Sequence, residues 1–162
     1  MKFKCRIIFV ILWLAVIFVF SAQPDVRSYE VSGSVSYQLV KLYDHVFHAE
    51  LTGQEMETAA LSIEYPVRKM AHMSEYAVLS ILFLMTFLAY TGTVSSPRKI
   101  WITGMLSLAA VFGCACLDEF HQLFVQGREG KFTDVLIDSA GAAVALVIAG
   151  LILFHKMKKR KR

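Results

Sequence analysis

The chain has 162 residues, 56% of them hydrophobic, and a formal net charge of +4. Soluble domains average about 45–50% apolar residues and do not gather them into runs of about 20, so a soluble globular domain is excluded. Its basic residues stand at the ends of apolar runs, with no aromatic-interleaved basic surface, so no nucleic-acid partner is expected.

The pattern predicts an all-α, polytopic transmembrane helix bundle of four spans, with residues 1–162 forming a single membrane domain. The first span covers residues 7–22 behind Lys2, Lys4 and Arg6. It is expected to be a retained signal anchor, because Phe20 stands where a cleavage site wants a small residue. An external, acidic segment follows over residues 25–64. Within it Val35, Leu39, Leu42 and Val46 recur at helical spacing, predicting an amphipathic helix that lies against the bundle or the membrane surface. His45 and His48 in this segment read as solvated polar residues.

Pro66 is expected to open the second span at residues 67–90, since proline suits a first helical turn. A Gly-, Ser- and Pro-containing loop over residues 91–99 leads to the third span, residues 100–124. After a tight turn at 126–131 the fourth span covers 133–154, and a basic tail occupies 156–162, suited to anionic lipid headgroups. Trp13 and Trp101 are expected as interfacial anchors, and Gly104, Gly113 and Gly150 as points of helix contact. Cys5, Cys114 and Cys116 read as packing residues with no disulfide and no zinc site. Lys and Arg placement predicts a cell-membrane protein with both termini cytoplasmic. Residues 64–72 and 118–138 then face outward.

Those outward ends carry an unusual density of ionisable groups, which are costly near lipid and so suggest a functional site. Arg68, His72 and Glu75 fall on one face of the second span, with Lys69 and Tyr76 beside them. In the third span Asp118, His121 and Gln122 are expected to share a face, next to Glu119. Arg128 lies in the turn, and Asp134 and Asp138 are one turn apart in the fourth span, with Gly141 continuing their stripe and allowing close helix approach. Two chemistries suit this constellation. One is an ion-pair network that locks the helices, with Arg68 or Arg128 against Asp118, Asp134 or Asp138. The other is catalysis or metal binding: His72, Glu75, His121 and Asp118 offer ligands suited to a divalent metal, or arginines hold a phosphate while His121 acts as base or nucleophile. Neither His72-x-x-Glu75 nor Asp118-Glu119-x-His121 is a diagnostic metal motif, so neither a metal nor another cofactor is expected.

Taken together, Arg68-Lys69-x-x-His72-x-x-Glu75-Tyr76, Asp118-Glu119-x-His121-Gln122, Gly127-Arg128 and Asp134-x-x-x-Asp138-x-x-Gly141 resemble the VanZ-like family of bacterial membrane proteins. The stretch Phe20-Ser21-x-Gln23-Pro24 is similar to that family too. The resemblance implies an integral, multi-pass protein of the cell envelope and no agreed enzymatic reaction. The further expectation from the resemblance is a role in tolerance of the lipid-bearing glycopeptide teicoplanin. Membrane lipids are the expected partners, together with a lipid-linked envelope precursor or a lipoglycopeptide; the sequence sets no oligomeric state. The leading reading is a non-enzymatic protein whose outward polar cluster binds such a ligand. The alternatives are a membrane-embedded lipid-phosphate hydrolase, although the Ser-Gly-His element of small membrane phosphatases is absent, and a structural partner of other envelope proteins.

Overall fold

A backbone in lipid must satisfy its own hydrogen bonds, and the chain does so entirely with helices. The computed structural model describes residues 3–92 and 96–160. Five helices follow one another: α1 (Phe3–Ser21), α2 (Asp25–Phe47), α3 (Gly53–Thr91), α4 (Pro97–Gln122) and α5 (Phe132–Arg160). Four of them, all but α2, are long and apolar enough to cross a membrane. The chain is thus all-α with four candidate spans, as its hydropathy predicts. Thr93, Val94 and Ser95 of the expected loop lie outside the described residues, as do Lys2, Lys161 and Arg162.

Helix α3 organises the molecule, touching each of the other four. It does not begin at Pro66. Thr52 accepts a hydrogen bond from the Glu55 amide while the Glu55 carboxylate accepts from the Thr52 amide, a capping box that starts the helix at Gly53. Pro66 is accommodated inside it because Ser62, whose carbonyl loses its i+4 donor there, lies on the same exposed face. At 39 residues α3 is roughly 58 Å long, about twice the thickness of a hydrocarbon core, so its N-terminal part must project from the membrane.

Helix α2 packs antiparallel on that projection. Its contact face is Ser32, Ser36 and Val40, all buried, against Ala60 and Glu64 of α3. The apolar stripe, expected against the bundle or the membrane surface, does not face the bundle: Val35 is exposed at 46%, Leu39 at 45%, Leu42 at 57% and Val46 at 57%. It is turned off the contact by roughly a quarter of a helical turn. The reason is polar. The Glu64 carboxylate is buried at the α2–α3 contact and takes the Ser32 hydroxyl and Arg68 as partners, which fixes the rotation of α2 more strongly than its apolar pattern does.

Within the bundle, lipid supplies no hydrophobic drive between helices, so small residues and short hydrogen bonds hold the spans. Val10, Ile17, Tyr76, Leu79, Val111, Ala115, Val135 and Ala142 form the buried apolar core. The Ser80 hydroxyl donates to the Ala77 carbonyl at 2.7 Å and reaches the Ala142 carbonyl of α5 at 3.4 Å. Gly141 marks a close approach of α3 and α5: a Cβ there would run into Met73 Cγ and stand 2.6 Å from the Met73 carbonyl oxygen. Gly104 and Gly113, in contrast, have nothing within 4 Å of such a Cβ and mark no helix contact. Trp13 is likewise not an interfacial anchor. It sits mid-way along α1, where its indole N–H donates to the Glu75 carbonyl at 2.9 Å and ties α1 to α3.

Candidate functional site

The charged blocks meet at one end of the bundle because each lies at the same end of its own span. The connection between α4 and α5 closes over them. Gly127 takes a positive φ of 76°, and the Asp25 amide donates to the Gln126 carbonyl at 3.2 Å, pinning this turn to the start of α2. The Lys131 amide donates to the Glu119 carboxylate at 2.8 Å and anchors the far side of the turn to α4. A cavity of about 310 Å³ results. Arg68, Lys69, His72, Glu119, Gln122, Arg128, Asp134 and Asp138 all line it, so eight of the twelve residues singled out from the sequence converge on one space.

Most charges there are already matched. Arg68 pairs with Asp25 at 2.6 Å and with Glu64 at 3.4 Å. Lys69 pairs with Asp134 across α3 and α5, and lies 5.5 Å from the centre of the Tyr65 ring. Lys131 pairs with Glu129 at 2.7 Å, and this hydrogen bond raises the pKa of the lysine. Gln122 donates to Asp118 at 3.2 Å and to the Ser21 hydroxyl at 2.9 Å, joining α4 to α1.

Arg128 is different. Its Nε donates to the Gln23 carbonyl at 3.2 Å, and among the described residues no carboxylate lies within ion-pairing distance of its guanidinium. Burial, and then the neighbouring Arg68, lower its pKa from the ordinary arginine value; Asp25, Asp118 and Glu119 oppose this from a distance. It stays cationic, as arginine does in proteins. A partly buried guanidinium with terminal N–H groups unused is well suited to a planar or tetrahedral oxyanion.

The remaining residues from the sequence lie off the cavity wall. Tyr76 and Asp118 are buried one turn further into the bundle, in each other's field and near Asp138. His72 Nδ1 approaches Glu75 at 3.5 Å, and Glu75 faces a second cavity rather than the first. His121 does not share the face of Asp118 and Gln122: it turns to α1, its ring centroid 4.5 Å from that of Phe18, with Nδ1 buried and without a partner among the described residues. His121 is therefore not among the residues that line this cavity. Among the described residues, no three His, Cys, Asp or Glu side chains gather closely enough to hold a metal ion.

Sequence reasoning did not place Asp25 or Glu64 in the site, and it noted Ser21 and Gln23 only within the stretch that carries the family resemblance. Glu64 precedes Arg68 by one helical turn, a spacing that signals the pair. Asp25 gave no local signal, since its partner is 43 residues away.

Four candidate spans around a charged, half-enclosed cavity define a multi-pass membrane protein with a polar site at one end of its bundle. The VanZ/LLP1 family matches residues 6–154, and the chain belongs to that family. All the sequence blocks that carry the resemblance fall inside the matched stretch. No curated protein and no solved structure matches the chain.

Proposed function

We propose that the cavity faces the outside of the cell and binds the anionic group of a lipid-linked envelope precursor or lipoglycopeptide, and that this binding contributes to tolerance of teicoplanin-type glycopeptides. Arg128 carries the reading: it is the cation on the cavity wall whose charge no neighbouring carboxylate takes up, so an arriving phosphate or carboxylate gains a partner without displacing one. The paired charges around it act as a frame. Lys69–Asp134 and Arg68–Asp25 tie α3 to α5 and α2, which holds the wall open without consuming the free guanidinium. The outward orientation rests on the bias of Lys and Arg toward the other end of the spans.

The test is glycopeptide susceptibility in a host lacking the gene, carrying wild type or Arg128→Gln at matched membrane levels. Selective teicoplanin tolerance with wild type, lost in the variant, is expected. No change with wild type would overturn the resistance role.

A second reading, hydrolysis of a lipid phosphate, draws on His72 and Asp138, which line the same cavity as Arg128. The imidazole available to it is His72 rather than His121. Phosphate release from phosphatidic acid by the purified protein, abolished in His72→Gln, would favour it over simple binding.

A further inference from the structure

A second cavity, of about 250 Å³, adjoins the charged one. The two share Arg68, His72 and Arg128 as a common wall. Beyond those residues their characters diverge. The charged cavity continues to Lys69, Asp134 and Asp138, whereas the second has Glu75, Gln23, Ser28 and Ser32 among its polar lining and otherwise continues to Phe20, Val31, Val35, Val67 and Ala71. Phe20 is in the last turn of α1, so this groove lies at the end of that candidate span. Phe20, Val31, Val35 and Ala71 are exposed along it, leaving an apolar trough between α1, α2 and α3 that no side chain fills.

An anion site and an apolar trough that share one guanidinium match a molecule with both parts. We infer that the ligand is an anionic lipid: its phosphate sits against Arg128, and its hydrocarbon chain leaves through the groove lined by Phe20, Val35, Val67 and Ala71. This rests on the anion-binding reading of the charged cavity and adds to it the place of the ligand's hydrocarbon chain and the route of entry, laterally from the outer leaflet. A soluble anion would use only the first cavity. A second copy of the chain would use only the apolar wall and would leave Arg128 unmatched. Continuity through the shared arginine favours the lipid over both.

The experiment uses the full chain purified in phosphatidylcholine nanodiscs and two probes, glycerol 3-phosphate and phosphatidic acid, with bound probe measured by native mass spectrometry or displacement. Ala71→Trp fills the groove from α3, and Val35→Gln makes its α2 wall polar; both positions are exposed, so folding is preserved. Wild type is expected to prefer phosphatidic acid over glycerol 3-phosphate by roughly ten-fold or more, because a chain held in the groove keeps its own phosphate beside Arg128 at high local concentration. Both groove variants lose that preference while their glycerol 3-phosphate binding stays as in wild type, and Arg128→Gln loses both probes. Equal affinity of wild type for the two probes overturns the lipid and leaves the anion site standing. Groove variants that keep phosphatidic acid but change oligomeric mass assign the trough to a second copy and overturn the inference. Failure of wild type to bind either probe overturns the anion site itself.

Discussion

The Glu64 carboxylate and the Ser32 hydroxyl meet in the buried contact between α2 and α3, and Arg68 Nε lies 3.4 Å from the same carboxylate. This one contact couples the stalk outside the membrane to the wall of the charged cavity, because Arg68 also holds Asp25 at the start of α2. Glu64→Ala removes one of the two carboxylate partners of Arg68 in a buried setting, a loss of about 1–3 kcal/mol, while the Ser32 hydroxyl keeps its bond to the Ser28 carbonyl at 2.8 Å. Ser32→Ala is expected to cost about 1 kcal/mol. Amide hydrogen exchange on the purified protein checks both: protection is lost over residues 32–40 first, with α4 and α5 unchanged. Uniform loss across all helices would show that the contact does not act locally.

Gly141 is tested by contrast with Gly104. Gly141→Ala drives a Cβ into Met73 and forces α3 and α5 apart, with an overpacking cost of about 1–3 kcal/mol. Adding Met73→Ala is expected not to rescue it, because the contact at 2.6 Å is with a backbone carbonyl that no substitution moves. Gly104→Ala meets open space and stays within about 0.5 kcal/mol of wild type. Thermal unfolding in a mild detergent reads all three. Equal melting of the two single variants would show that the α3–α5 approach is looser than described.

The Lys69–Asp134 pair joins α3 to α5 on the cavity wall, both side chains largely buried. Reversing one charge, in Lys69→Asp or Asp134→Lys, sets like charges together and is expected to lower membrane abundance several-fold. Reversing both restores it. Quantitative blotting of membrane fractions measures the cycle, and a double variant no better than the singles would show that the partners do not act as a pair.

Orientation has its own test. With Cys5, Cys114 and Cys116 replaced by Ser, a single Cys at Glu50 is expected to react with a membrane-impermeant maleimide in intact cells. A single Cys at Lys158 is expected to react only after lysis. The reverse pattern would place the charged cavity on the cytoplasmic side.

What the sequence determined alone is the number of spans and the gathering of charge at one end. Both follow from local energetics: a long apolar run must be helical in lipid whatever surrounds it, and ionisable groups survive only near its ends. Spacing along one helix likewise placed Arg68 and His72 on one face, and the cavity contains both. The tertiary structure decided the rotation of each helix about its own axis. On α4, His121 lies roughly 60° to one side of Asp118 and Gln122 roughly 40° to the other, so periodicity permits either to enter the cavity. Packing of Phe18 against His121 and of Ser21 against Gln122 chose the second. On α2 the serine face, and not the apolar stripe from Val35 to Val46, meets α3, because a buried carboxylate at Glu64 is costly to leave unpaired. The free state of Arg128 is also a tertiary property, since it depends on which carboxylates the other cations have already engaged.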